Sequence, residues 1–135
     1  MTLHLIKLCV GVDTPDELRE WVEERVAATG EHTHVTRMFP RRADELVAGG
    51  SLYWVIRGVV LVRQRIVALR PVRRDDHDAC AIVLEPRLVP TSPWPRRPFQ
   101  GWRYLAAADA PPDLSTADAA LPEALRAELA LLGLL

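Results

Sequence analysis

The chain has 135 residues, of which 49% are hydrophobic and 26% charged, with two cysteines and a formal net charge of -1. That length supports one domain with a core of its own, and the composition is ordinary for a soluble globular protein, which argues against disorder over most of the chain. The small net charge hides a segregation, because 13 arginines and six acids lie between Arg37 and Arg103, while residues 1–36 carry three bases and seven acids, and residues 104–135 carry one and five.

A basic centre between two acidic ends points to an anionic partner. Arginine supplies all of the basic residues except Lys7. Codon usage in a GC-rich genome produces such a bias, so the arginine content by itself assigns nothing. The segregation, and the mixing of arginine with aromatic and amide side chains, need a further cause.

Residues 3–12 read as a first strand that is apolar on both faces and therefore central. The run Leu3–Val10 is too short for a membrane span and lacks a basic leader and a cleavage site, so no membrane partner and a cytoplasmic location are expected. Thr14-Pro15-Asp16-Glu17 is a capping box with proline at the first helical position. The helix it starts carries Leu18, Trp21, Val22 and Val26 on one face, shows Glu20, Glu23 and Glu24 to solvent, and ends at Gly30. Residues 32–37 suggest a second strand, and a short helix from Arg41 to Ala48 is stopped by Gly49-Gly50.

Residues 52–69 are too long for one ordinary strand, so Gly58 should mark a turn or bulge. Beyond it, alternation places Val59, Leu61, Arg63 and Arg65 on one face and Val60, Val62, Gln64 and Ile66 on the other. A polar turn over residues 71–78 and an apolar strand from Ala79 to Leu84 complete a hairpin. Five prolines between Glu85 and Pro98 predict an extended loop lying over the sheet, and Phe99 to Leu105 a closing strand. Residues 1–108 are thus expected to form an α+β core, with residues 109–135 a linker and a helix whose leucine stripe (Leu121, Leu125, Leu129, Leu132) docks on it. The fold class is α+β: a small, mostly antiparallel sheet or pseudobarrel with flanking helices.

Guanidinium forks bind phosphate, aromatic faces stack on bases and glutamine reads base edges. On those grounds the candidate nucleic-acid-binding residues are Arg37, Phe39, Arg41 and Arg42, then Tyr53, Trp54 and Arg57, then Arg63, Gln64 and Arg65, and finally Arg96, Arg97, Gln100, Trp102 and Arg103. Each has a structural alternative. Arg37, Arg41 and Arg42 can pair with Asp44 and Glu45, Arg63 and Arg65 can protect a strand edge, and Trp102 can be core.

His32 and His34 share a strand face, but no third ligand stands at a supporting spacing, so no metal or cofactor is expected. Ser51 lacks the second glycine of a nucleophile elbow, and no general acid and base pair stands out. Cys9 and Cys80 lie in apolar runs and read as buried reduced thiols.

The stretches Thr36-Arg37-Met38-Phe39-Pro40-Arg41-Arg42, Gly49-Gly50-Ser51-Leu52-Tyr53-Trp54-Val55-Ile56-Arg57-Gly58, Arg63-Gln64-Arg65-Ile66 and Arg96-Arg97-Pro98-Phe99-Gln100-Gly101-Trp102-Arg103-Tyr104-Leu105 resemble the bacterial family catalogued as domain of unknown function 1489. The resemblance spans nearly the whole chain and brings no activity with it. More distantly, a short helix, a glycine break, the strand Trp54-Val55-Ile56-Arg57-Gly58 and a hairpin are similar to pseudobarrels of the PUA and ASCH type. Those domains mostly bind RNA, and a few ASCH relatives hydrolyse modified nucleosides. RNA binding is accordingly the expected function, with a small hydrolase of modified nucleosides or nucleotides, or a protein interaction module, as the alternatives.

Overall fold

The computed structural model describes residues 2–114. Seven strands and two α-helices run in the order β1 (Leu3–Leu8), α1 (Pro15–Thr29), β2 (His32–Thr36), α2 (Ala43–Val47), β3 (Ser51–Ile56), β4 (Val59–Arg74), β5 (His77–Leu84), β6 (Val89–Pro95) and β7 (Trp102–Ala106). The sheet order is β2-β5-β4-β3-β1-β7, with β6 alongside the first half of β4. The β1 and β3 strands pair in parallel and the other neighbours are antiparallel. The α+β expectation holds, but β2 and β7 end the order without meeting, so the sheet is open and the barrel-like alternative is corrected.

The local signals act as the chemistry requires. Thr14 caps α1 by accepting from the Glu17 backbone N–H at 3.2 Å, Pro15 opens the helix, and Gly30 closes it at φ 84. Leu18 and Val22 go inward, whereas Trp21 is 39% exposed, a correction to its assignment to the buried face. The Arg25 guanidinium lies 4.8 Å from the Trp21 ring, which covers the indole on the surface. The two hairpin turns are Arg57-Gly58, at φ 51 and 80, and Asp75-Asp76, at φ 48 and 65. Positive φ at both central residues matches the right-handed twist of the strands they join.

Three expectations for the middle of the chain change. An extra residue, Leu61, bulges between the pairs Val55–Val60 and Trp54–Val62. It reverses the alternation, so Val59, Leu61, Val62 and Ile66 all enter the larger core and only Val60 goes to the smaller one. Next, the proline-rich segment is extended but does not lie over the sheet. It pairs with β4 as β6, where prolines are tolerated because an edge strand can leave one side without N–H donors. Finally, the start of the expected linker is docked: Pro112 O accepts from Ser92 N at 2.8 Å, and Leu114 N donates to Pro90 O at 3.1 Å. The predicted C-terminal helix lies outside the described residues.

The larger core packs Leu18 and Val22 of α1 and Leu46 of α2 against Leu5, Leu52, Trp54, Ile56, Ile66, Ile82 and Leu84. The opposite face of the β1, β3 and β4 strands carries a smaller cluster of Ile6, Tyr53, Val55, Val60 and Leu105, with Phe99 and Ala110 against it. Cys9 and Cys80 are buried, and burial pushes their thiols up to about 12 and about 11, so both stay protonated. No helix among the described residues is long and apolar enough to cross a membrane.

The buried histidines make stability depend on pH. Burial, then Arg25, lowers His32 to about 4, and burial, followed by Lys7 and other nearby cations, lowers His34 to about 4. Unfolded, each takes up its proton near pH 6.5. Stability is therefore full above that value and falls as the pH drops toward 4, by on the order of 2 kcal/mol in total after allowing for solvent screening at His34. Urea midpoints at pH 7.5 and 4.5 check this, and equal midpoints would contradict it.

Candidate nucleic-acid interface

The predicted arginines divide into those that the fold engages and those it leaves facing solvent. Arg42 grips Glu45 through Nε and Nη2 at 2.5 and 2.7 Å, and Arg63 grips Asp113 through Nε and Nη2 at 2.8 Å each. Arg70 pairs with Glu31. Each acidic end of the chain thus contributes a carboxylate to the basic centre. Arg65 makes only a long 3.5 Å contact to Val47 O. Among the described residues, no carboxylate lies within ion-pair distance of Arg37, Arg41, Arg57, Arg65, Arg96, Arg97 or Arg103.

Four of these meet at one end of the sheet. The Arg96 backbone N–H donates to Gly58 O at 2.8 Å, which fixes the end of β6 against the turn that presents Arg57. The Arg96 and Arg103 guanidiniums lie 5.8 and 5.3 Å from the Phe99 ring centroid. Arg103 is further held by the carbonyls of Gln100, at 2.7 Å, and Trp102. Gln100 and Arg97 are exposed beside them. Trp94, opposite Val60 at the same end, is 41% exposed.

A second exposed group lies by the outer strand β7. Trp102 Nε1 donates to Met38 O at 2.9 Å, and Tyr104 Oη accepts from the Arg42 backbone N–H at 3.1 Å. The two rings meet edge to face at 4.9 Å and hold the turn that carries Arg37, Phe39 and Arg41, with Phe39 41% exposed. Trp102 is half-buried and anchors the turn through its bond to Met38.

Other candidates move inward. Trp54 is 2% exposed and Gln64 is fully buried. Gln64 Oε1 accepts from Trp54 Nε1 at 2.8 Å, while its amide nitrogen donates to Glu85 O and to His32 Nδ1 at 2.9 and 3.0 Å. Buried to this degree and bonded to one another, neither residue can meet a base, which corrects both assignments. Tyr53 is also buried, against His4 at 5.0 Å, and lines a cleft instead of the arginine-rich end.

A hydrolase needs a carboxylate in a deep pocket, and the acids of the basic centre nearest the candidate arginines in sequence include Asp44 and Glu85. Both are exposed and line neither of the two cavities described among these residues. The carboxylate that does enter a cleft is Asp113, and its bond to Arg63 holds it below the ordinary carboxylate range, ionised and unsuited to acid catalysis near neutral pH. Among the described residues no three His, Cys, Asp or Glu side chains are grouped to hold a metal.

The family model described as "Protein of unknown function (DUF1489)" matches residues 5–135. The chain belongs to that family. No curated protein and no solved structure matches this DUF1489 chain, so nothing in these comparisons supports the similarity to PUA and ASCH domains. Sequence reasoning also passed over one exposed aromatic at the arginine-rich end of this DUF1489 chain, Trp94. Its signal was available: a tryptophan between Pro93 and Pro95 in an extended segment is held on an edge, where one face stays wet.

Proposed function

We propose that this protein binds single-stranded RNA through the end of the sheet formed by Arg57, Trp94, Arg96, Arg97, Phe99, Gln100 and Arg103, with Arg37, Phe39 and Arg41 extending the surface past β7. The observation that supports this reading is the gathering, at one end of the sheet, of four arginines without a carboxylate partner among the described residues, two of them over Phe99, with Trp94 exposed on β6 at the same end. Guanidiniums supply phosphate contacts, and Trp94 offers a face on which a base of any identity can stack. Such a surface favours unpaired bases, because a duplex keeps its base faces stacked on one another.

Fluorescence anisotropy against a single-stranded RNA and a duplex DNA, each at two salt concentrations, tests the reading. RNA should bind more tightly and lose affinity as salt rises, because each phosphate contact releases counterions. Arg96→Ala combined with Arg97→Ala should flatten the salt slope by about one unit or more. Trp94→Ala should weaken binding by about 1–3 kcal/mol. Arg63→Ala should leave affinity nearly unchanged, since Arg63 sits opposite Tyr53 and beside Ser51, toward the other end of β3 from Arg57. Salt-independent binding, or no response to the Arg96 and Arg97 changes, would exclude this surface.

A further inference from the structure

At the other end of β3 from Arg57, the strand start opens onto a cleft of about 400 Å³, lined among others by His4, Ser51, Tyr53, Arg63 and Asp113. That volume lies within the range of small-molecule sites. Its polar groups are almost all donors. The Ser51 backbone N–H donates to His4 Nδ1 at 3.0 Å, so the imidazole is neutral and carries its proton on Nε2. Burial, then the Arg63 charge, lowers the pKa of His4 and keeps it in that form. Ser51 Oγ accepts from Arg63 Nη1 at 3.0 Å, which leaves its own O–H to donate. Burial raises the Tyr53 phenol, so it too remains a donor. Ser51 and Tyr53 are 1% and 5% exposed, so this donor set is held rigidly by the strand.

Against these donors stands one acceptor, Asp113, seated on Arg63 in the two-pronged geometry that a carboxylate prefers. We infer that the cleft is a binding site for a small molecule with a terminal carboxylate or phosphate, whose anionic group takes the seat on Arg63 that Asp113 fills. The chain's own carboxylate shows the stereochemistry of the seat. Its displacement does not require the segment to undock, because backbone bonds at Pro112 and Leu114 hold the strand on both sides of Asp113. The Asp113 side chain is 46% exposed, and an ion pair with that much solvent contributes little net stability. Beyond the seat, Ala107, Ala110, Pro111 and Pro112 form an apolar wall suited to a flat or hydrocarbon body. The cleft and the RNA surface proposed above lie at opposite ends of β3, and the two readings stand independently.

The test is an NMR titration of the protein with benzoate, phenyl phosphate and uncharged benzyl alcohol. Either anion should bind saturably, shifting the Arg63 Nε–H and the His4 ring, and whichever binds tighter identifies the head group. Asp113→Ala should tighten the binding about tenfold, and Asp113→Asn, which keeps the side-chain shape, should act in the same direction. Ser51→Ala and Tyr53→Phe should each weaken it by roughly five-fold, the value of one hydrogen bond. Unchanged affinity in both Asp113 variants, equal binding of benzyl alcohol, or shifts that map away from the cleft would overturn the assignment.

Discussion

Replacing Gly50 with alanine should strongly destabilise the fold. A Cβ built there would stand 2.2 Å from Leu3 O, 2.5 Å from Leu46 O and 3.2 Å from Leu46 Cα, all backbone atoms of the first strand and the short helix α2. A flexible side chain could move aside, but these atoms cannot. The Gly50 N–H donates to Leu46 O at 2.8 Å and its carbonyl accepts from Ile66 N at 3.0 Å, so the residue is tied on both sides.

Relief therefore requires separating β1 from the α2–β3 junction, where Leu3, Leu5, Leu46 and Leu52 form part of the core. The cost should reach about 4 kcal/mol, in the range reserved for severe core disruption. Thermal unfolding followed by circular dichroism should show a loss of at least roughly 10 °C or no cooperative transition. Gly101→Ala is the control, since its Cβ would meet nothing within 4 Å and pays only for its φ of 67. A Gly50→Ala protein melting within a few degrees of the wild type would show that the junction can yield.

The second large effect is expected at Gln64. Gln64→Leu keeps the volume but orphans two buried groups, the Trp54 indole N–H and His32 Nδ1, and the part-buried bond to the Glu85 carbonyl is lost with them. Unsatisfied buried polar groups cost about 1–3 kcal/mol each, and partial relaxation brings the expected total to about 3 kcal/mol. Urea denaturation should resolve this loss. Because the three partners depend on one amide, Trp54→Phe made in the Gln64→Leu background should cost much less than it does alone. Additive losses from the two substitutions would mean that the groups do not act as one network.

That network also marks the limit of reasoning by residue type. An aromatic and an amide among arginines match the chemistry of nucleic-acid readers, which by residue type alone puts Trp54 and Gln64 among the candidates. The same polarity serves a core when the partners lie inside it, and His32 and Glu85 lie 32 and 21 residues from Gln64 in the chain. No local pattern announces such a pairing. Arg63 likewise meets a carboxylate 50 residues away, at Asp113.

Local chemistry by itself determined the capping box and glycine stop of α1, the turn at Gly58, the hairpin into β5 and the α+β class, because these depend on residues within a few positions of one another. The family resemblance was also legible in contiguous motifs, and the family model matches residues 5–135. Tertiary structure alone decided three things. The Leu61 bulge reversed which side chains of β4 face the larger core, a change one inserted residue makes because strand side chains alternate with period two. Pairing with β4 turned the proline-rich segment into a strand. Long-range ion pairs then decided which arginines stay open to solvent, since a charge can be neutralised by any carboxylate the fold brings within reach, whatever its distance along the chain.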